Sequence, residues 1–308
     1  MDSRPSGDGS WWDSPLGVRQ MGGGGGAMHG VAVAWSGGKD GAWVVHRLRA
    51  EGRPVAALIT TVVREHDRVA SHWVRRALVR EQAASLELPL VEVEVPWPCP
   101  NESYTMAWNA AVGELKERGG VESVAFGDLF LQDVRAWREQ LMRSGGLEPE
   151  FPLWGIRTDL LSRAMLDAGV EATLVSVDPG RVDPRWVGKR WDQSFLDALP
   201  PSVDPCGERG EFHTFVSAGP MFPRPIPVEE AGRFDRDGMA IVDLASLSPA
   251  RARRSPPTPC RNVCQVGGDG LCDGCGRSLA EIAGWLGMPD NRRQAVMARV
   301  RDWVVRSA

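Results

Sequence analysis

Short apolar segments alternate with amphipathic segments along most of the chain after residue 30. Several have the length and apolar content of β-strands, namely VAVAW, VAALITTVV, LVEVEVP, SVAFGD and ATLVSVD. Apolar residues at helical spacing occupy the ranges 41–50, 71–87, 102–118, 132–143 and 157–168. Strands and helices alternating at these lengths predict an α/β fold, in which helices cover both faces of a doubly wound, mostly parallel sheet.

Polar and glycine residues follow several of these strands at their carboxyl ends. The loop 36–41 follows the first strand, Thr60 and Thr61 end the second, and Gly127 with Asp128 follow a later one. In open α/β sheets, ligands bind beyond the carboxyl ends of the strands, where the strand order reverses. We therefore expect these residues to line one ligand site at one edge of the sheet.

The loop after the first strand has the composition of a phosphate-binding turn. Its sequence, SGGKDG, offers a hydroxyl, two glycines without a Cβ, a cation and a carboxylate at the start of a predicted helix. Amides of such a turn close around an anion, and the helix dipole favours the same charge. The predicted nucleotide contacts are Ser36, Gly37, Gly38, Lys39, Asp40 and Gly41. The loop resembles S-G-G-x-D-S of the ATP-pyrophosphatase class, with glycine in place of the last serine.

Two other interpretations of this loop stay open on its residues alone. A dinucleotide loop, G-x-G-x-x-G, fits if Ser36 replaces the first glycine and Glu65 binds the ribose, which would make the chain an NAD(P)-dependent oxidoreductase. A tight glycine turn with a solvent-exposed Lys39–Asp40 pair is the structural alternative. The Walker spacing G-x-x-x-x-G-K-[ST] does not fit this loop.

Two later segments concentrate groups that suit chemistry on phosphates and carboxylates. The first, GDLFLQDVRAWREQ, contains Asp128, Asp133, Arg135, Arg138 and Glu139. The second, DPCGERGEFHT, contains Glu208, Glu211, His213 and Thr214. Such cations can hold phosphate groups, and such acids can hold a metal. His213 is a candidate proton shuttle, whereas Cys206 is expected to be structural.

Five segments in a fixed order resemble a known family: TTVVREHDRVASHWVRRALVREQAASLELPL, FGDLFLQDVRAWREQL, FPLWG, LVSVDPGRVDPRWVGKRWDQSFL and DPCGERGEFHTFV. Together they resemble the diphthine–ammonia ligase family over roughly residues 30–222. That family is a branch of the adenine nucleotide alpha-hydrolase-like fold of the HUP type.

This resemblance implies an ATP-dependent, amide-forming ligase. A carboxylate would attack the α-phosphate of ATP to give an acyl-adenylate and pyrophosphate, and ammonia would then displace AMP. The expected catalytic residues are Lys39, Asp40, Asp128, Arg138, Glu139, Glu211 and His213. Further ATP contacts are expected from Thr60, Thr61, Gly127 and Gly155, and acceptor contacts from Asp133, Arg135, Glu208, Glu211 and Thr214.

The expected cofactors are ATP and Mg²⁺, and the expected partners are ammonia and a small-molecule or protein carboxylate. Gly41 removes one hydroxyl from the loop. A non-catalytic nucleotide-binding sensor, whose cysteine domain contacts a protein partner, is therefore the alternative to an enzyme.

The C-terminal region contains a separate cysteine cluster. Cys260, Cys264, Cys272 and Cys275 follow the spacing C-x₃-C-x₇-C-x₂-C, which suits a tetrahedral four-thiolate site. Sulfur ligands alone do not distinguish Zn²⁺ from an iron–sulfur cluster. The surrounding segment resembles a small bacterial domain of unknown function that is expected to hold iron and sulfur.

The predicted domains are a glycine-rich flexible leader over 1–28, an ATP-pyrophosphatase domain over 29–222, a Pro/Arg-rich linker over 223–257 and a small helical four-cysteine domain over 258–308. Met21 and Met28 are alternative starts. A net charge of −4 gives no general nucleic-acid or membrane signal. No apolar run approaches the roughly 20 residues that span a bilayer, and no signal peptide pattern is present, so we expect a cytoplasmic protein.

Overall fold

A computed structural model describes residues 30–117, 120–247, 259, 265–268, 270–285, 288 and 290–306. Its strands are β1 (Gly30–Ala34), β2 (Val55–Val63), β3 (Arg68–Val69), β4 (Leu90–Val95), β5 (Val121–Ala125), β6 (Glu148–Glu150), β7 (Glu171–Val177), β8 (Arg190–Trp191), β9 (Phe212–Ala218), β10 (Val228–Arg236) and β11 (Met239–Ser246). Its α-helices are α1 (Lys39–Ala50), α2 (Arg76–Leu86), α3 (Asn101–Glu117), α4 (Gln132–Gly145), α5 (Thr158–Asp167), α6 (Gln193–Asp197), α7 (Leu279–Ala283) and α8 (Asp290–Arg306).

The first sheet has six strands and is parallel except for one short strand. Its parallel strands lie in the order β4–β2–β1–β5–β6, and β3 runs antiparallel to the end of β2. The chain moves outward from β1 to β2 and β4, then returns to the other side of β1 at β5. The strand order therefore reverses between β1 and β5, where the ends of two strands leave a crevice for a ligand.

Helices cover both faces of this sheet, as the alternation in the sequence predicts. Val31 and Val33 of β1 belong to one apolar core together with residues of α1, α2 and α5. Ala32, between them, belongs to the opposite core, which contains Trp108 of α3 and Met142 of α4. Successive residues of a buried strand point to opposite faces, so both faces need apolar residues. The doubly wound α/β prediction is confirmed.

A second sheet is antiparallel and has the order β10–β11–β7–β8, with β9 also paired to β7. The segment ATLVSVD, which the sequence analysis placed among the parallel strands, forms β7 of this second sheet. That placement was wrong because an apolar strand pattern does not specify its partners. The later strands β9 and β11 pair with β7 on both sides.

The predicted linker is wrong over 228–246, because these residues form the hairpin β10–β11. The strands turn at Asp237 and Gly238, which have φ values of 51° and 81°. An Asp-Gly pair with positive φ at both positions is a strong hairpin signal, and the Pro/Arg content around it hid that signal. Ile241 and Leu244 of the second strand are buried, so the hairpin belongs to the folded domain.

The helix predicted over 71–87 is shorter in the structure, where α2 begins at Arg76. Residues before it form a turn in which Ser71 and Trp73 have φ values of 66° and 55°. The Trp73 carbonyl accepts a hydrogen bond from Arg68, and the Val69 amide donates to Val74, which holds the turn against β3. This turn carries His72 towards the crevice.

The C-terminal region contains a small apolar core formed by Trp285, Val296 and Val300. Ser278 and Glu281 form a capping box at the start of α7. Of the four cysteines, Cys260 and Cys264 lie outside the described residues, and Cys272 and Cys275 are buried. None of the described helices has the length and apolar content needed to cross a membrane.

Candidate functional site

A cavity of about 310 Å³ opens where the strand order reverses between β1 and β5. This volume lies within the range of about 300–1,000 Å³ that is usual for small-molecule sites. Residues of β2 and residues that follow β1, β3 and β5 line it together with residues of α3, α4 and the segment before β9. Of the residues predicted from sequence, those brought together here are Ser36, Lys39, Asp40, Gly41, Thr61, Gly127, Asp128, Arg138, Glu208, His213 and Thr214.

The loop 36–38 turns sharply, and Gly37 has a positive φ of 85°. The Gly37 carbonyl accepts hydrogen bonds from the Val216 amide at 2.9 Å and from Gln82 Nε2 at 3.1 Å. Gln82 is fully buried, and it also accepts a hydrogen bond from Trp35 Nε1 and donates one to the Val216 carbonyl. Strand β9 and helix α2 therefore hold the loop in its turn.

The first turn of α1 presents backbone amides at the cavity. The Lys39 amide donates to Thr214 Oγ1 at 3.2 Å. Among the described residues, no acceptor contacts the amides of Asp40 and Gly41. Open amides at a helix N-terminus carry partial positive charge and favour phosphate groups.

Two glycines let this helix start approach the sheet closely. A Cβ on Gly127 would lie 3.0 Å from the backbone carbon of Asp40, and a Cβ on Gly41 would lie 3.1 Å from the Ala34 carbonyl oxygen. Both distances are tighter than ordinary van der Waals contact. The serine that the ATP-pyrophosphatase loop carries at position 41 would therefore need a small shift of the helix or of β1.

Lys39 is only 2% exposed, and its ammonium group already has protein partners. It donates to the two carboxylate oxygens of Asp40 at 3.0 and 2.8 Å and to the Cys206 carbonyl. Burial is the largest single effect and lowers the pKa of Lys39, but the charges of Asp40, Cys206 and Glu208 and the hydrogen bonds to Asp40 together outweigh it, so the pKa is raised. The sequence predicts Lys39 as a nucleotide contact; in the structure this cation joins α1 to the segment before β9.

Asp128 and Arg138 form an ion pair in the cavity wall. Arg138 Nε donates to Asp128 Oδ2 at 2.7 Å, and the guanidinium lies 4.6 Å from the ring centre of Phe126. The carboxylate and the aromatic face fix the cation in orientation, because a planar guanidinium stacks on rings and forms directed hydrogen bonds. Arg138 is thus a preorganised positive group at the cavity.

The opposite part of the cavity is aromatic. Tyr104 and Trp108 of α3 stack with ring centres 6.2 Å apart. Both contact the Thr61 hydroxyl, since the Tyr104 hydroxyl lies 3.3 Å from Thr61 Oγ1 and Trp108 Nε1 donates to it at 3.3 Å. Phe126 and Ile59 complete this part. Flat π surfaces beside one hydroxyl suit an aromatic base.

Two histidines stack at the cavity edge, with the rings of His72 and His213 4.4 Å apart. His72 Nδ1 lies 3.2 Å from the Thr214 carbonyl. Burial and then the charge of Lys39 lower the pKa of His213 to about 4, and burial with the neighbouring His213 lowers the pKa of His72. Both rings are therefore neutral at pH 7, so His213 is a weak base there.

The segment before β9 presents one carboxylate to the cavity and buries another. Glu208 lines the cavity, and its Oε1 accepts hydrogen bonds from the amides of Leu129 at 2.7 Å and Phe130 at 3.4 Å. Burial, together with the charges of Asp40 and Asp128, raises the pKa of Glu208 to about 7. Glu211 is buried instead.

Glu211 acts within its own segment. Its two oxygens accept hydrogen bonds from the amides of Asp204 at 3.1 Å and Arg209 at 2.9 Å, so it orders the turn that carries Glu208. Cys206 is buried, and burial raises the pKa of its thiol, which agrees with the structural role expected for it.

Several predicted site residues lie away from the cavity. Thr60 is buried on the other face of β2 from Thr61. Glu139 pairs with Arg135 at 2.9 Å on α4, and Asp133 is exposed on the same helix. The Gly155 amide donates to the Leu129 carbonyl, so this glycine supports the loop after β5.

Sequence reasoning missed the residues that contact the site from distant segments. No role was assigned from sequence to Gln82, His72, Tyr104, Trp108 or Phe126, although His72, Gln82 and Phe126 lie in segments that carry the family resemblance. The polar Gln82 among the apolar positions of a predicted helix was the one local signal. The places of His72, Tyr104 and Trp108 become visible only when α3 and the turn before α2 are placed beside β1.

Comparison with known families agrees with this geometry. The model described as the diphthamide synthase N-terminal domain matches residues 29–149, and the model of the diphthamide synthase C-terminal domain matches residues 157–247. The second match includes the β10–β11 hairpin, which again places it in the folded domain. A model described as a protein of unknown function (DUF1289) matches residues 258–303.

Curated relatives match along most of their length. A diphthine–ammonia ligase of Rattus norvegicus is 28% identical over 241 residues, which are 71% of this chain and 90% of that protein. The Homo sapiens diphthine–ammonia ligase is 27% identical over 238 residues, 70% of this chain and 89% of that protein. A crystal structure described as a predicted subunit of tRNA methyltransferase from Methanocaldococcus jannaschii shares 18% identity over 47% of this chain and 79% of its own, with a TM-score of 0.31. The chain belongs to the diphthine–ammonia ligase family and carries a C-terminal domain of the DUF1289 family.

Proposed function

We propose that this protein is an ATP-dependent ligase that adenylates a carboxylate and converts it to an amide with ammonia, releasing AMP and pyrophosphate. The observation that supports it most is the cavity at the strand reversal, where the open amides of α1 lie near Asp128, Arg138 and Glu208. Membership of a ligase family supports the same conclusion.

The two parts of the cavity suit the two parts of ATP. The aromatic part beside Tyr104 and Thr61 would hold adenine and ribose. The amides of Asp40 and Gly41 would hold the β- and γ-phosphates, because helix N-termini bind phosphate. In this orientation the α-phosphate lies between the two parts and near Arg138.

Adenylation needs positive groups where charge develops. A carboxylate oxygen of the acceptor forms a bond to the α-phosphorus, and the bond to the bridging oxygen breaks with its electron pair leaving on pyrophosphate. Arg138, held by Asp128 and Phe126, would stabilise the charge on the phosphoryl oxygens without reorganising. Lys39 would add a fixed positive charge behind the helix start.

Mg²⁺ would enter with the nucleotide. Within the described residues no three histidine, cysteine or acidic side chains form a metal site. Mg²⁺ is usually held by one or two carboxylates and by substrate phosphates, and Asp40 and Asp128 at the cavity fit that donor set. When bound, the ion would supply charge neutralisation at the phosphates.

The acceptor is a carboxylate, and the names of the relatives suggest diphthine as the first one to test. The protein is incubated with ATP, MgCl₂, ammonium chloride and a diphthine-carrying peptide. AMP and pyrophosphate are followed by ³¹P NMR, and the amide by mass spectrometry. We expect AMP and pyrophosphate in equal amounts with amide, and no products when the carboxylate is methylated.

Two outcomes would contradict the proposal. One is release of ADP and phosphate, because that cleaves the wrong bond. The other is tight ATP binding without cleavage for diphthine and for a panel of small carboxylates, which would favour the nucleotide sensor. Activity with a different carboxylate would support the ligase and correct the acceptor.

The C-terminal domain would hold a metal at four thiolates. Cys272 and Cys275 are buried at one turn, and Arg277 Nε donates to Cys275 Sγ at 3.3 Å, which suits an anionic sulfur. These two residues fit half of a four-cysteine site. Zinc would give a colourless protein with one equivalent of metal. An iron–sulfur cluster would give a protein that absorbs visible light and contains iron and sulfide.

A further inference from the structure

We propose that Glu208 is the catalytic base that takes the proton from ammonia as it attacks the acyl-adenylate. This inference rests on the proposed ligase function and assigns a second chemical step to the same cavity. The sequence comparison with its family suggested only acceptor binding for this residue.

The contacts of Glu208 leave one oxygen available. Its Oε1 is fixed by the amides of Leu129 and Phe130, at 2.7 and 3.4 Å. No hydrogen bond involves Oε2 among the described residues, and the side chain lines the cavity. A carboxylate fixed through one oxygen presents the other in a constant direction, as a positioned base requires.

The charges around Glu208 disfavour its ionised form. The charges of Asp40 of α1 and Asp128 after β5 act on it, the charge of Lys39, which is bonded to Asp40, opposes them, and Cys206 lies on its own segment. Burial is the largest cause and the two acids add to it, so the pKa of Glu208 is raised to about 7 although the amides of Leu129 and Phe130 lower it. A base works best when its pKa lies near the working pH.

The competing base in the cavity is His213. Its ring is buried and stacks on His72, and its pKa is about 4. A proton taken up by His213 would therefore be held more weakly than one on Glu208. Glu211, the other nearby carboxylate, is bonded to the amides of Asp204 and Arg209 through both oxygens.

The step balances as follows. The nitrogen lone pair of ammonia forms a bond to the acyl carbon, and the carbonyl oxygen takes up negative charge. Glu208 accepts one proton from the nitrogen. The carbonyl re-forms, the bond from carbon to the AMP oxygen breaks with its electron pair on AMP, and the protonated carboxyl later returns its proton to water.

Glu208→Gln tests this role, since the glutamine oxygen can still accept from Leu129 but cannot act as a base. The wild type and this variant are compared in ATP–pyrophosphate exchange, which reports adenylation, and in amide formation from ammonium chloride with the diphthine-carrying peptide. Glu51→Gln, which changes an exposed carboxylate just after α1, is the control.

We expect exchange within about threefold of wild type and a loss of amide formation of about 100- to 10,000-fold, the usual contribution of a base. The rise of the amide rate through pH 7, corrected for free ammonia, should disappear in the variant. Hydroxylamine should restore much of the rate, because its nitrogen loses a proton more readily. If Glu208 had a purely structural role, the substitution would slow the reactions of ammonia and hydroxylamine equally.

The inference is wrong if Glu208→Gln keeps wild-type amide formation, or if hydroxylamine gives no rescue. The Glu208 carboxyl can be assigned by ¹³C NMR as the signal that is missing from the variant, and this measurement needs no acceptor. The inference is also wrong if that signal titrates near the ordinary glutamate pKa. Absence of AMP release by the wild type would instead refute the ligase function itself, and both claims with it.

Discussion

Replacing Lys39 by methionine separates the two effects of this buried cation, on stability and on nucleotide binding. The side chain keeps its length and apolar stem but loses the ammonium that contacts Asp40 and the Cys206 carbonyl. Removing one partner of a buried charge pair typically costs about 3–5 kcal/mol. Asp40 keeps contact with solvent at the cavity, with 28% of its side chain exposed, so we expect the lower end, about 3 kcal/mol.

ATP binding should weaken as well. Without Lys39, the Asp40 carboxylate has no cationic partner beside the amides proposed to hold phosphate. Its negative charge then repels the phosphates of ATP. A charge-assisted hydrogen bond is worth about 1.5–3 kcal/mol, which corresponds to a loss of affinity of about 10- to 150-fold. Urea unfolding at pH 7 and calorimetric titration with ATP measure the two effects. Lys189→Met, at an exposed position, should change stability by less than about 0.5 kcal/mol.

A double variant tests whether the pair itself causes the loss. In Lys39→Met with Asp40→Asn, no unpaired charge remains, so the destabilisation should be smaller than the sum of the two single changes. The reasoning is refuted if the free energy of unfolding of Lys39→Met lies within about 1 kcal/mol of the wild-type value and the variant binds ATP as tightly as the wild type. Strict additivity of the two changes would refute the pairing.

Three other changes test separate parts of the account. Gly41→Ser should bind ATP about 3- to 10-fold more tightly than Gly41→Ala, since both add the same Cβ near Ala34 but only serine adds a hydroxyl; equal calorimetric affinities would contradict this. Gln82→Leu should lower the free energy of unfolding by about 3 kcal/mol, because three buried hydrogen bonds are lost. The surface change Gln193→Leu should leave it unchanged, and similar urea midpoints for the two variants would exclude the role of Gln82. Cys272→Ser should abolish bound metal, measured by mass spectrometry of the metal content; full occupancy would remove Cys272 from the ligands.

The sequence was sufficient for the parts of the fold that depend on local pattern. Apolar runs identified the parallel strands β1, β2, β4 and β5 but not the short β6, and the SGGKDG turn identified the start of α1 at their carboxyl edge. Convergence of this turn with Asp128 followed from the geometry of parallel sheets, in which carboxyl ends share one edge.

Long-range pairing was not available from local pattern. The hairpin β10–β11 was taken as a linker because prolines and arginines surround it, although Asp237 and Gly238 carry the turn signal. The contact of Lys39 with the Cys206 carbonyl was not predictable, because nothing in the loop indicates which distant segment packs on it. Contacts between segments more than a hundred residues apart depend on tertiary packing.

The most direct measurement of the central claim is a crystal structure with a nonhydrolysable ATP analogue and Mg²⁺. We predict triphosphate density against the amides of Asp40 and Gly41, with the adenine beside Tyr104 and the α-phosphate near Arg138. Nucleotide density elsewhere, for example in the surface groove lined by Arg185 and Lys189, with an empty cavity between β1 and β5, would contradict the account.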